Sequence, residues 1–267
     1  MTPIVLPVFP RGFYIGPLFI HYYALAYIIG LMIGWRLVRF MASCKPVAAT
    51  GEQVDDFLTW AVLGVILGGR TGYVLFYQPG YFFTHPLAIP RVWDGGMSFH
   101  GGFLGVTVAI LVFCWRHKLN PLRFADRIAV AVPIGLFLGR CANFINGELW
   151  GRPAPASFPL AMIYPGDPYQ LPRYPSELIE ASLEGIVLFC VMLACAQSTA
   201  IRNRAGMLAG IFLLGYGIAR IIGECFREPD PFLGFLPFDT TMGQLLSIPM
   251  VIAGPCFIFY ALSKRAG

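Results

Sequence analysis

Seven apolar stretches, each close to the roughly 20 residues that a bilayer-crossing helix needs, dominate the chain. They lie at about 18–40, 57–76, 97–115, 128–144, 178–196, 206–226 and 242–262. Only 12% of the 267 residues are charged and 57% are hydrophobic, whereas soluble domains carry about 25% charged residues. The sequence therefore predicts an all-α polytopic membrane protein with seven transmembrane helices, in which residues 1–267 form a single integral-membrane domain.

Lysine and arginine are distributed unevenly between the connections. With the N-terminus outside, eleven of the 19 fall in inner segments, five in outer segments, and Arg70, Arg140 and Arg220 within apolar stretches. The positive-inside rule then predicts an outer N-terminus and a cytoplasmic C-terminus. The net charge of +5 could suggest nucleic acid, but the charges lie where orientation in a bilayer requires them. We expect membrane lipids, and no nucleic acid, as partners.

Two outer connections have distinctive compositions. Residues 78–94 hold several aromatic residues among prolines and suit a segment lying in the membrane interface, although an ordinary aromatic loop fits equally well. Residues 147–175 carry seven prolines and are expected to form a small irregular outer cap. Thr50 with Gln53, and Thr241 with Gln244, predict capping boxes at the starts of the second and seventh helices.

A polar cluster interrupts the fourth apolar stretch. Arg140, Asn143, Asn146 and Glu148 follow an uncharged run at 128–138. Such groups are expensive in hydrocarbon, so their clustering is typical of a functional site. The alternative is an arginine that snorkels to the headgroups, with asparagines that cap a helix end.

A second polar stripe lies in the sixth stretch, where Tyr216, Arg220 and Glu224 follow each other at intervals of four residues. A self-neutralising pair of Arg220 and Glu224 would explain it. At about 1.5 Å per residue, however, Arg70, Arg140 and Arg220 all lie roughly 20 Å from the inner starts of their stretches. Arg140 and Arg220 at headgroup depth would suit a phosphate clamp.

The polar groups converge on the outer third of the bilayer, since Tyr22, Tyr23 and His100 lie near the outer starts of their stretches. Transporters usually place their sites near the midplane, so this layering favours chemistry at the outer leaflet. Glycines around His100 allow another backbone or a ligand to approach closely. A lone histidine is more often structural, yet its ordinary pKa of about 6.5 suits a general base for a thiol.

Three glutamates share one helix face at the outer start of the fifth stretch: Glu177, Glu180 and Glu184. We expect them to be structural and to balance Arg70 or other cations. The seven cysteines lie mostly in apolar stretches without paired spacing, and the four histidines form no metal motif.

The pattern GRxANFINxExxG at 139–151 resembles the signature of bacterial prolipoprotein diacylglyceryl transferases, also called phosphatidylglycerol–prolipoprotein diacylglyceryl transferases. The His100-Gly101-Gly102 motif, the Tyr216/Arg220/Glu224 stripe and the segment 227–230 (Arg-Glu-Pro-Asp) also resemble that family, in the same order. The likeness extends over nearly the whole chain.

The resemblance implies a reaction in the bacterial inner membrane, near the periplasmic leaflet. A diacylglyceryl group passes from phosphatidylglycerol to the lipobox cysteine of a secreted prolipoprotein, and glycerol phosphate leaves. This is the first step of lipoprotein maturation. Arg140 and Arg220 would hold the phosphate, and His100 would accept the thiol proton. The substrate-binding residues would be Tyr23, Asn143, Asn146, Glu148, Gly151, Tyr216 and Glu224.

No cofactor or metal is expected, because the guanidinium groups already supply positive charge. Two other classes compete with the enzyme. A lipid or solute transporter would need an inner gate and polar residues at several depths. A non-catalytic scaffold would bind lipid without consuming it.

Overall fold

The computed structural model describes residues 2–229 and 236–264, apart from the side chains of Phe99, His100 and Phe238. Its helices are α1 Tyr22–Ser43, α2 Gly51–Phe76, α3 Pro79–Thr84, α4 Phe99–His117, α5 Pro121–Asn146, α6 Ser176–Glu180, α7 Leu188–Gln197, α8 Thr199–Arg202, α9 Met207–Glu224 and α10 Met242–Ser263. A π-helical segment, Ala181–Val187, joins α6 to α7. Together these three form one continuous helix, Ser176–Gln197, here called helix 176–197.

Six helices in the described residues are long and apolar enough to cross a membrane: α1, α2, α5, helix 176–197, α9 and α10. The described part of α4, Gly101–His117, is a shorter apolar helix. The prediction of a mainly helical, multi-pass membrane protein is therefore confirmed.

Within the described residues, four short strands accompany the helices: β1 Ile4–Val5, β2 Gly12–Ile15, β3 Leu18–His21 and β4 Met162–Ile163. β1 pairs in parallel with β4, and β2 and β3 form an antiparallel hairpin. The prediction that the first helix begins near Leu18 is therefore wrong by four residues. Gly16, at φ +60°, and Pro17 form the hairpin turn, and the helix begins only at Tyr22.

Capping explains two helix starts. Thr50 Oγ1 accepts from Gln53 N at 3.2 Å, and Gln53 Oε1 accepts from Thr50 N at 2.9 Å. Thr241 and Gln244 make the same reciprocal pair at the start of α10. Both predicted capping boxes are confirmed, and α2 thus begins six residues before its apolar stretch.

α5 also begins earlier than its apolar stretch, at Pro121 rather than near 128. Asn120 Oδ1 accepts from Leu122 N and Arg123 N, at 3.0 and 3.1 Å, and a proline suits the first helical position. Arg123 and Arg127 therefore lie in the helix and not in the connection before it.

The chain forms two compact units, residues 38–127 and residues 1–37 with 128–267. In the first, α2 and α4 pack through glycines. A Cβ atom on Gly68 would lie 2.7 Å from Gly105 Cα, and one on Gly72 would lie 2.8 Å from Gly101 Cα. Small residues let membrane helices approach closely. In the described residues, Gly101 of the His100-Gly101-Gly102 motif thus serves the approach of a neighbouring backbone.

In the second unit, α9 packs against α10 and against helix 176–197. Charged side chains are buried inside it: Glu177, Glu180 and Glu184 have no exposed surface. Buried charges require partners, and the partners of these glutamates form the polar site.

Candidate active site

Arg140 on α5 and Arg220 on α9 reach the same carboxylate of helix 176–197. Glu180 Oε2 lies 3.0 Å from Arg140 Nη1 as an ion pair. Glu180 Oε1 accepts a hydrogen bond from Arg220 Nη1 at 2.8 Å. One buried side chain therefore bridges two arginines that come from different helices.

Glu184 makes a second bridge. Its Oε2 accepts from Arg140 Nη2 at 3.2 Å and from Nε at 3.4 Å, and its Oε1 accepts from Arg220 Nη1 at 3.3 Å. Two arginines and two glutamates thus form a closed ring of ion pairs, here called the Arg–Glu ring. The two membrane-helix arginines that the sequence singled out are close neighbours.

The sequence placed Arg140 and Arg220 at equal distances from the starts of their helices, and the structure corrects these two estimates. Counted from the observed helix starts, Arg140 lies 19 residues into α5 and Arg220 lies 13 residues into α9. These counts correspond to roughly 28 and 20 Å of helix. The side chains meet nevertheless, because the start of a helix does not mark a common depth in the bilayer.

Further charges extend the ring. Arg220 also pairs with Glu224, four residues along α9, and Glu224 Oε2 accepts from Thr241 Oγ1 at 2.6 Å. Arg227 lies 3.9 Å from both Glu180 and Glu224. The predicted Arg220–Glu224 pair is therefore present, as part of a larger cluster.

Formal charge balances in this cluster, which contains Arg140, Arg220, Arg227, Glu180, Glu184 and Glu224. The side chains of Glu180 and Glu184 are fully buried, whereas those of Arg140 and Arg220 retain 15% and 13% exposure. Each guanidinium has five N–H donors, more than the three contacts that Arg140 and Arg220 each make here within the described residues. The cluster can therefore offer hydrogen bonds to an anion without carrying excess charge.

Local backbone features place the bridging carboxylates. Glu184 lies in the π-helical segment Ala181–Val187, a type of distortion that is frequent at functional sites. Neighbouring glycines make room: a Cβ atom on Gly185 would lie 2.6 Å from Phe137 Cβ on α5, and one on Gly223 of α9 would lie 3.0 Å from Glu180 Cγ. Both α5 and α9 can therefore approach helix 176–197 closely.

The asparagines of the 139–151 pattern form a separate group at the end of α5. Asn143 Nδ2 and Asn146 Nδ2 both donate to Glu148 Oε1, at 3.0 and 3.2 Å. Asn143 is buried and follows Arg140 by three residues, whereas Glu148 is exposed. Asn146 Oδ1 is buried without a hydrogen-bond partner among the described residues. Glu148 thus holds both side-chain amides in place, a few residues after Arg140 of the Arg–Glu ring.

Gly151 has a role in backbone packing. Its N–H donates to Tyr174 O at 3.0 Å, and a Cβ atom there would collide with the carbonyl oxygens of Tyr174 and Phe226. The position therefore requires glycine because three chain segments cross there.

The remaining predicted site residues contact other side chains or lie outside the described residues. Tyr23 Oη lies 3.2 Å from Tyr27 Oη, and Tyr216 is buried and stacked on Phe212 with ring centroids 5.8 Å apart. His100 is the second residue of α4, and its side chain lies outside the described residues, as does Asp230 of the 227–230 motif.

The glutamates were expected to balance Arg70 or other cations, and in the described residues Glu180 and Glu184 pair with Arg140 and Arg220. Arg70 instead donates to four backbone carbonyls: those of Ala88, Ile89, Gly95 and Gly96. Its guanidinium also lies 5.1 Å from the ring centroid of Phe82. Arg70 therefore fixes the connection between α3 and α4.

The irregular segment 147–175 is held by a buried ion pair. Arg173 Nε and Nη2 donate to Asp167 Oδ2 and Oδ1, at 2.7 and 3.1 Å, and Arg173 Nη1 donates to Gly151 O at 3.0 Å. Tyr164 Oη donates to Glu177 Oε2 at 2.9 Å, which attaches the segment to helix 176–197. The Arg173 hydrogen bonds hold the pKa of Asp167 below its ordinary value.

We expect Asp167→Asn to destabilise this segment, because breaking one side of a buried ion pair costs about 3–5 kcal/mol. Since the folded-state pKa of Asp167 is lowered, its stabilisation is present above the ordinary pKa of about 3.9 and is lost as pH falls through the folded value. At neutral pH in detergent, limited proteolysis should cleave the Asp167→Asn variant within residues 147–175 faster than it cleaves the wild type. Equal cleavage rates for the variant and the wild type would contradict the assigned role.

Sequence reasoning missed the bridging function of Glu180 and Glu184. Their shared face and apolar surroundings were visible, but nothing in the spacing indicated that both carboxylates would meet Arg140 and Arg220. The contacts join residues 36 to 44 positions apart, so they depend on the packing of three helices.

The chain matches known proteins over nearly all of its length. The family model for prolipoprotein diacylglyceryl transferase matches residues 10–260. A phosphatidylglycerol–prolipoprotein diacylglyceryl transferase of Acidiphilium cryptum is 63% identical over 254 residues, 94% of this chain and 92% of that protein. Proteins of the same name are 60% identical in Gluconacetobacter diazotrophicus, covering 100% of this chain and 95% of the relative, and 54% identical in Azospirillum brasilense, covering 100% and 99%. The chain therefore belongs to the prolipoprotein diacylglyceryl transferase family.

Proposed function

We propose that this protein transfers the diacylglyceryl group of phosphatidylglycerol to a prolipoprotein cysteine, as the first step of lipoprotein maturation. Its family membership supports the reaction. The observation that carries the proposal is the Arg–Glu ring, in which Arg140 and Arg220 are held together, partly exposed, with N–H donors available to a phosphate. The acceptor is the lipobox cysteine of the precursor.

In the reaction, the cysteine sulfur attacks the carbon of the diacylated glycerol that is bonded to the phosphate oxygen. The C–S bond forms, the C–O bond breaks, and its electron pair leaves on the oxygen of glycerol phosphate. Arg140 and Arg220 stabilise the charge that grows on this phosphate. Because buried carboxylates already hold both guanidiniums, little reorganisation accompanies bond breaking. His100 accepts the thiol proton.

The other site residues bind or orient the substrates. Asn143 and Asn146, held by Glu148, offer amide groups to the glycerol headgroup. Tyr23 and Tyr216 line the site that binds the lipid. Glu224 orients Arg220, and Gly151 keeps the cap close to the ring.

We place the site near the outer leaflet of the bacterial inner membrane. In this topology α4 is the third of seven spans, the N-terminus lies outside and the C-terminus lies in the cytoplasm. Residues 78–94 and the cap 147–175 then face the periplasm, where secreted prolipoproteins arrive. The lysine and arginine distribution supports this orientation.

Two matched alanine replacements test the topology. Ala156 in the cap and Ala200 in α8 are both exposed, so a cysteine at either position should react readily with a maleimide. In intact cells, an impermeant maleimide should label Ala156→Cys and leave Ala200→Cys unlabelled until the cells are lysed. The unsubstituted protein, with its seven cysteines, provides the background. Labelling of position 200 from outside would reject the orientation.

The decisive assay for the function uses purified protein, phosphatidylglycerol and a lipobox peptide. Mass spectrometry should find the diacylglyceryl thioether on the peptide, and glycerol phosphate should appear in equal amount. A peptide with serine in place of the lipobox cysteine should stay unmodified. Lipid binding without product would indicate a scaffold, and lipid movement across vesicles without product would indicate a transporter.

A further inference from the structure

The carboxylates of Glu180 and Glu184 do more than neutralise neighbouring cations. Arg220 already has an acidic partner on its own helix, Glu224. It nevertheless contacts both Glu180 and Glu184, which also contact Arg140. Neutralisation would be complete with one carboxylate for each arginine, whereas sharing two carboxylates fixes one guanidinium relative to the other.

The surroundings of the two carboxylates favour rigidity. Both side chains are fully buried on helix 176–197. Gly223 leaves space for the Glu180 side chain, because a Cβ atom there would lie 3.0 Å from Glu180 Cγ. Side chains locked in this way can hold a binding constellation within the narrow tolerance that catalysis requires.

We infer that Glu180 and Glu184 are positioning residues, which set the separation and orientation of Arg140 and Arg220 for one phosphate group. The inference rests on the proposed function. A phosphate bound between two guanidiniums needs donors at a fixed spacing, and misplacement of such donors weakens stabilisation of the developing charge more than it weakens binding of the substrate.

This role predicts a separation of turnover from binding. Replacing either glutamate by glutamine removes one negative charge and leaves the cluster with a net charge of +1, so attraction for anionic phosphatidylglycerol does not fall. The substitution does, however, weaken the contacts that hold Arg140 and Arg220 in place, because each glutamate pairs with both arginines. We expect kcat to fall about ten- to a hundredfold, while KM for phosphatidylglycerol stays equal or decreases.

Glu177 provides a matched control. It lies on the same helix and is equally buried, but its hydrogen-bond partner is Tyr164. In the described residues it makes no ion pair with Arg140 or Arg220. Glu177→Gln therefore removes a buried carboxylate without disturbing the ring, and its kcat for each folded molecule should stay close to that of the wild type.

The experiment compares wild type, Glu177→Gln, Glu180→Gln and Glu184→Gln in the thioether assay, with the folded fraction measured by size-exclusion chromatography. Loss of kcat at constant or lower KM in Glu180→Gln or Glu184→Gln, but not in Glu177→Gln, supports the inference. The inference is overturned by kcat values equal to the control, by a parallel loss of lipid binding, or by both ring variants failing to fold while the control folds. An inactive wild type would instead reject the proposed function itself.

Discussion

Arg140→Lys is expected to lower kcat about ten- to a hundredfold although the positive charge is kept. Arg140 meets Glu180 through Nη1 and Glu184 through Nη2 and Nε. A planar guanidinium can keep these contacts and still donate to a phosphate, whereas an ammonium is a compact point charge. Each lost charge-assisted hydrogen bond is worth about 1.5–3 kcal/mol, which gives the expected factor when it is felt at the transition state.

The measurement is thioether formation at saturating phosphatidylglycerol, normalised to folded protein. Arg39→Lys is the control, because Arg39 is exposed and pairs with Asp55 at 2.7 Å. Surface substitutions usually change stability by less than about 0.5 kcal/mol, so its turnover should match the wild type. Turnover of Arg140→Lys equal to that of Arg39→Lys would reject the phosphate clamp at this position.

His100→Gln is expected to slow thioether formation about 10²- to 10⁴-fold, the usual contribution of a general base. Glutamine keeps much of the hydrogen-bonding capacity of histidine but cannot take up a proton. Binding of phosphatidylglycerol should therefore persist. The wild-type rate should fall as pH drops through the histidine pKa, and the variant should lose this acidic limb. At high pH the variant should recover in part, because free thiolate becomes abundant.

His117→Gln is the matched control for this experiment. His117 belongs to the same helix, at its other end, where it stacks on Phe113 with ring centroids 4.2 Å apart. Its replacement should leave the acidic limb of the pH profile intact. If His100→Gln keeps that limb and shows only lower yield or weaker lipid binding, the histidine is structural and the thiolate forms without it.

Hydropathy and capping patterns were sufficient to predict most of the helices. Six apolar stretches correspond to helices long enough to cross a membrane, because uninterrupted apolar residues leave the backbone few other ways to satisfy its hydrogen bonds in lipid. The starts of α2 and α10 followed from Thr50 and Thr241, whose side chains accept bonds from the first turn.

Hydropathy could not distinguish a strand from a helix at the first stretch. Leu18–His21 is apolar enough to extend α1, but the Gly16-Pro17 turn pairs it with Gly12–Ile15 instead. At α5 the error has the opposite sign: Asn120 and Pro121 start the helix among charged residues that a hydropathy window rejects.

The candidate site was predicted in part. Spacing and resemblance identified Arg140 and Arg220, and the structure brings them together. The same reasoning gave Glu180 and Glu184 a general balancing role, because helical periodicity shows which residues share a face but not what that face meets. Their bridging contacts arise only where α5 and α9 pack against one helix.

The Arg–Glu ring also constrains how the chain can be inserted into a membrane. Helix 176–197 contains Glu177, Glu180 and Glu184 and no basic residue, and ionised side chains within a membrane helix are unfavourable unless they find partners. α5 is made first and can supply Arg140. The second guanidinium of the ring arrives only with α9, so a nascent chain that ends before α9 holds two of these ring carboxylates against one arginine. The carboxylates of helix 176–197 therefore reach their full set of ring partners only when both α5 and α9 have been made.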